Sequence, residues 1–177
     1  MSKVYNTLEE ALHDIKFNKQ SGLKASISWG YNPLCLNGLP YMDEFFGFVG
    51  DLMKMPKELK EVDAHPERYP HFEEKKQFLS VIWELTKNAY VHGSVMHKDK
   101  RFSLEMYTGD LGILAGTRQD DGFFTDEQIA KLKTGGYVKP TRGVDSSGIG
   151  LRDFILRIST GIFISKEEKE IFASIVY

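Results

Sequence analysis

Apolar residues recur along this chain with two different periods, and the switches between them mark its elements. Leu8, Ala11, Leu12 and Ile15 repeat at helical spacing behind Thr7 and Glu10, a capping-box pair, and Ser21–Gly22 is the expected stop. From Lys24 to Trp29 the period falls to two: Ala25, Ile27 and Trp29 alternate against Ser26 and Ser28, which predicts a strand. Asn32–Pro33 and Asn37–Gly38 are turn signals. Pro40 can then open a helix through Tyr41, Phe45, Phe46, Val49, Leu52 and Met53, with Pro56 beyond its end. Pro66 and Pro70 bracket a loop. A long helix is predicted over 72–92, where Phe78, Leu79, Ile82, Trp83, Leu85, Ala89 and Tyr90 share one broad apolar arc.

Strand-like runs follow over Phe102 to Tyr107 and Leu111 to Thr117, joined at Gly109–Asp110. A second capping box, Thr125 with Gln128, starts a short helix that carries Ile129 and Leu132 and ends at Gly135–Gly136. The stretch 137–148 is polar and without period, Leu151 to Ile158 is helical, and Ile162 to Ser165 with Ile171 to Tyr177 close the chain as a strand pair. Helices intermixed with hairpin-like strands predict an α+β fold, a largely antiparallel mixed sheet with helices on one face.

Composition narrows the classes. A length of 177 residues favours a single domain with a real core, and 41% hydrophobic against 27% charged residues excludes a disordered chain. The formal net charge of -2 gives no positive field to draw nucleic acid or anionic lipid. Cys35 is the one cysteine and cannot form an internal disulfide, which fits a reducing compartment. No apolar run approaches the roughly 20 residues a membrane-crossing helix needs, and the charged, amphipathic N-terminal stretch is unlike a leader. The expectation is a cytoplasmic protein.

Three clusters carry candidate chemistry. On the long helix, Glu84, Asn88 and His92 stand at i, i+4 and i+8, bordering the apolar arc. They are either a solvated stripe or a partly desolvated carboxylate, carboxamide and imidazole set side by side. Asp120-Asp121-Gly122 follows a strand-like run: either an ordinary Asp-Gly turn, or a carboxylate able to accept a hydrogen bond from an adenine amine beside a glycine that lets a flat ring approach. Ser146-Ser147-Gly148-Ile149-Gly150-Leu151 enters a helix, where two glycines would bring backbone N–H groups to phosphate oxygens. It is neither a P-loop nor a dinucleotide fingerprint. Lys133, Lys139 and Arg142, just before it, form either a solvated loop or a lid that closes over a triphosphate. A metal hydrolase built on His92 and His97 is disfavoured by their i, i+5 spacing.

In this order the clusters resemble the GHKL superfamily of ATPases and kinases. Glu84-Leu85-Thr86-Lys87-Asn88, continuing to His92, resembles the N box; Asp120-Asp121-Gly122 resembles the G1 box; Ser147-Gly148-Ile149-Gly150-Leu151 resembles the G2 box. The match covers about 72–177, so 1–70 would be an N-terminal helix, strand and helix ahead of a nucleotide-binding core. The resemblance implies a Bergerat-type two-layer α/β sandwich, histidine kinase-like, that binds ATP with Mg2+. Asn88 would be the metal ligand, Asp120 the adenine contact, Gly122, Gly148, Gly150 and Leu151 the remaining nucleotide contacts, Lys139 and Arg142 the lid, and Glu84 the catalytic base. The layout is similar to that of small anti-sigma serine kinases, which implies a protein partner and a possible homodimer. Phe124 stands where the family has a second G1 glycine, the family's late Gly-Thr pair is missing, and no helical hairpin surrounds His13 as a phosphoacceptor. The alternative implied is a non-catalytic member that senses nucleotide or binds protein.

Overall fold

The computed structural model describes residues 2–30, 42–90, 100–120, 124–134 and 155–177. Six strands form one mixed sheet: β1 (Lys3–Val4), β2 (Leu23–Gly30), β3 (Arg101–Thr108), β4 (Gly112–Gln119), β5 (Gly161–Ser165) and β6 (Glu170–Val176), in the order β1-β5-β6-β4-β3-β2. Among the described strands β1 and β5 pair in parallel and every other neighbouring pair is antiparallel, so the sheet is mixed but largely antiparallel. Between the strands lie α1 (Leu8–Asp14), α2 (Met42–Met53), α3 (Lys60–Ala64), α4 (Phe72–Ala89), α5 (Asp126–Lys133) and α6 (Leu156–Ile158). The α+β architecture is thus the expected one.

Strand alternation sorts the core. One face of the sheet presents Leu104 and Met106 of β3, Ile113 and Ala115 of β4, and Ile171, Ala173 and Ile175 of β6. Against it pack Phe45, Val49 and Met53 of α2, Phe78, Val81, Ile82, Leu85 and Ala89 of α4, and Leu132 of α5. Burying side chains of this size contributes roughly 1.5–3 kcal/mol each, so this layer is the main source of stability.

The expectation of helices on one face holds for these helices, and the structure adds a smaller cover behind the sheet. Ala11 and Ile15 of α1, with Tyr5, pack on Tyr107, Leu114, Phe163 and Phe172, the residues that alternation points the other way. Gly116 faces the same side, where an added Cβ would collide with the ring of Phe172 and stand 2.5 Å from the Ile171 carbonyl oxygen. Its missing side chain is what lets that ring lie across β4.

Element ends follow local chemistry. Thr7 caps α1 by accepting the Glu10 amide at 3.2 Å, and the Glu10 carboxylate in turn accepts the Asn6 amide at 2.9 Å. The helix stops at Asp14, short of the expected Ser21–Gly22: Lys16 turns left-handed at φ 50 and returns the chain onto the sheet, where Phe17 meets Tyr107 edge-on. Thr125 and Gln128 complete a full capping box on α5. The stretch expected as a loop between Pro66 and Pro70 holds a 3-10 turn over Pro66–Arg68, and α3 precedes it. Among the described residues no helix is long and apolar enough to cross a membrane.

Candidate functional site

α4 runs lengthwise over β4 and β6 and fixes the direction of everything it carries. Its N-terminal cap, His71, stacks on Tyr177 at 4.2 Å between ring centroids, and the Tyr177 amide donates to the Leu111 carbonyl ahead of β4. At the other end, Tyr90 meets Phe102 at 6.1 Å, and Phe102 pairs with Gln119 at the close of β4. The last turns of α4 and the end of β4 therefore occupy the same end of the sheet. Glu84 and Asn88 lie on those turns, and Asp120 follows Gln119.

Glu84 sits on the border of the buried face, its side chain 15% exposed. The Asn88 carboxamide Nδ2 donates to its Oε1 at 3.4 Å, and Lys87 Nζ stands 3.9 Å from Oε2. Burial of Leu85 and Ala89 on one side and exposure of Lys87 on the other set the rotation that produces this border. The i, i+4 geometry aims the amide nitrogen at the carboxylate, so Asn88 Oδ1 is the atom left to meet a cation. A carboxamide oxygen beside a carboxylate suits a hard ion such as Mg2+, which takes one or two protein oxygens and completes its shell with water and phosphate. No three histidines, cysteines or acids cluster in a way that could hold a metal among the described residues, so no all-protein metal cage appears there.

Asp120 is exposed and held at three points. Its Oδ2 accepts the Arg101 amide at 2.9 Å, its own amide donates to the Arg101 carbonyl at 3.0 Å, and its carbonyl accepts Lys169 Nζ at 2.6 Å. Lys169 is left-handed at φ 49 in the β5–β6 turn, and its carbonyl accepts the Gln119 amide at 3.2 Å. The same turn reaches α5, where Lys166 Nζ lies 2.8 Å from Asp126 Oδ1. Two strands and a hairpin turn thus fix Asp120 at the end of the sheet. Arg101 and Lys169 escaped sequence reasoning: they stand 19 and 49 positions from Asp120, and nothing local in the sequence marks either partner.

Gly122, Lys139, Arg142, Gly148, Gly150, Leu151 and His92 lie outside the described residues, as do Cys35 and His97. Of the sequence-predicted site, then, the structure brings Glu84, Asn88 and Asp120 to one end of the sheet. Phe124 packs against the main core. No protein-family model matches the sequence, and no curated protein matches it at a significant level.

Proposed function

We propose that this chain is an ATP-binding protein of the GHKL type, a cytoplasmic signalling ATPase or protein kinase that works with Mg2+ on a protein partner. The observation that carries the reading is the shared location of the Glu84–Asn88 turn and the strand end bearing Asp120, two motifs 32 positions apart between Asn88 and Asp120 in the sequence. In this reading Asp120, oriented through Oδ2 by the Arg101 amide, accepts the exocyclic amine of adenine with its other oxygen. Asn88 Oδ1 would hold the cation, which would supply charge neutralisation at the phosphates. Glu84, braced by Asn88 and partly withdrawn from water, receives the proton of the attacking hydroxyl or water. The family resemblance assigns the remaining nucleotide contacts to Gly122, Gly148, Gly150 and Leu151, and the phosphate contacts of the lid to Lys139 and Arg142.

A second reading is favoured by Phe124. A core-anchored aromatic side chain stands in place of the family's second G1 glycine, which suits a member that binds without turnover. Calorimetric titration with ATP and ADP, with and without Mg2+, tests both readings on wild type, Asp120→Ala and Glu84→Ala. The enzymatic reading expects binding in wild type, weakened binding in Asp120→Ala, and full binding with lost turnover in Glu84→Ala. Binding without turnover in wild type selects the module, and no binding at millimolar nucleotide removes both.

A further inference from the structure

The β5–β6 turn holds Asp120 from the side of β4 that β3 does not occupy. Ser165 pairs with Glu170, so Lys166, Glu167, Glu168 and Lys169 form the loop, which the Glu168 amide closes by donating to Ser165 Oγ at 3.2 Å. Lys166, Glu167 and Glu168 are exposed, whereas Lys169 is half-buried. Its Nζ donates to the Asp120 carbonyl at 2.6 Å, and its own carbonyl accepts the Gln119 amide at 3.2 Å. Lys166 reaches instead to the start of α5, where its Nζ lies 2.8 Å from both Oδ1 and Oδ2 of Asp126. One short turn therefore grips the chain on both flanks of residues 121–123.

Lysine is a costly residue for the last position of this turn. The backbone of Lys169 is left-handed at φ 49, a region that glycine enters freely and where a Cβ is penalised. The strain is kept together with a side chain that crosses to the end of another strand, and strain of this kind gathers where geometry serves a ligand. On the β3 side the Arg101 amide takes Asp120 Oδ2 at 2.9 Å, which sets the plane of the carboxylate only as firmly as the Asp120 main chain is itself held. Without the Lys169 ammonium the Asp120 carbonyl loses its tie to the turn, and the carboxylate can swing about the Arg101 contact.

We infer that Lys169 is a positioning residue for base recognition: it locks the Asp120 main chain from the β6 side and so aims the carboxylate at the exocyclic amine of adenine. The inference rests on the nucleotide reading of Asp120 and adds to it the residue that sets base selectivity. A carboxylate accepts from the amine of ATP but repels the carbonyl oxygen that inosine triphosphate carries in its place, so a well-aimed Asp120 prefers ATP. A carboxylate that swings loses this discrimination, because water can then bridge it to either base.

Two readouts test this, one of them free of nucleotide. Calorimetry gives the ratio of ATP to inosine triphosphate affinity. The Arg101 amide resonance, followed by NMR without nucleotide, reports its bond to Asp120 Oδ2, and Asp120→Ala marks the position of the released amide. Lys169→Met and Lys169→Gly are expected to lower the affinity ratio about threefold or more and to move the Arg101 amide toward the released position. Lys169→Arg, which still reaches the carbonyl, should keep both at wild-type values. Glycine suits the left-handed turn, so Lys169→Gly is expected to keep the wild-type Tm, which separates aiming from folding. Lys131→Met, which breaks a surface pair with Glu127 on α5, is the control and should change neither readout. An equal loss of affinity for both triphosphates, or an unmoved Arg101 amide in both variants, overturns the inference and leaves the nucleotide reading standing. Wild type that binds the two triphosphates equally, or neither, removes that reading of Asp120 and the inference with it.

Discussion

Arg118→Met removes the positive half of an ion pair whose negative half is buried, two residues before Asp120. The guanidinium donates through Nε at 3.1 Å and Nη2 at 2.6 Å to one carboxylate oxygen of Glu170, and Nη1 lies 3.9 Å from Glu105. The Glu170 side chain is 5% exposed and that of Arg118 is 46% exposed. Stripping one partner from a fully buried pair costs roughly 3–5 kcal/mol, because the survivor keeps its desolvation without its attraction. The Arg118 side chain is already about half exposed, so the expected loss is smaller, about 2 kcal/mol. For a chain of 177 residues that corresponds to a fall in Tm of about 4–8 °C. Urea unfolding of Arg118→Met, Glu170→Met and the double variant reads it directly. The double variant should recover most of the loss, since the buried Glu170 charge leaves with its partner and Glu105 keeps Lys24 at 3.9 Å. An Arg118→Met protein within about 0.5 kcal/mol of wild type, or a double variant as unstable as the single one, refutes the reasoning.

Other expectations follow from the same geometry. Asp120→Ala should weaken ATP binding about 10- to 100-fold, the worth of a hydrogen bond to a charged group, as measured by calorimetry. Gly116→Ala sets a methyl group against the Phe172 ring and the Ile171 carbonyl oxygen, and a loss of roughly 1–3 kcal/mol is expected in denaturant unfolding. Burial first, and the neighbouring Lys54 second, hold the Lys75 ammonium below the ordinary lysine value of 10.5, so the folded protein releases that proton at lower pH than the unfolded chain. Between the depressed value and 10.5 the unfolded chain binds more protons, and stability owed to this group rises with pH. Wild type should therefore gain on Lys75→Met as pH rises toward 10.5 in parallel urea titrations; Tyr177, which burial shifts upward, is common to both proteins and drops out of the difference. A constant difference would mean that Lys75 is solvated like any surface lysine.

Much of the architecture was legible because it rests on periodicity. The alternation of Ala25, Ile27 and Trp29 became β2, and the arc from Phe78 to Ala89 became the buried side of α4. Elements without an apolar period escaped: α3 buries none of its residues, and the two residues of β1 are too few to alternate. The cover on the back of the sheet was written only as a failure of alternation. Ile113, Leu114 and Ala115 are apolar in succession because α4 takes one side of β4 and α1 the other. At the candidate site the i, i+4 spacing of Glu84 and Asn88 was visible, whereas the grip of Arg101 and Lys169 on Asp120 depends on strand register. The buried position of Lys75 was equally hidden, since a lysine on a helix reads as solvent-facing until its neighbours are known.

The two-sided covering of β4 has a kinetic counterpart. Opening its amides to deuterium requires α1 and α4 to leave together, whereas β2, at the sheet edge with Leu23 47% exposed, can fray alone. The chain therefore loosens from β2 inward, and the strand that leads into Asp120 is among the last to exchange.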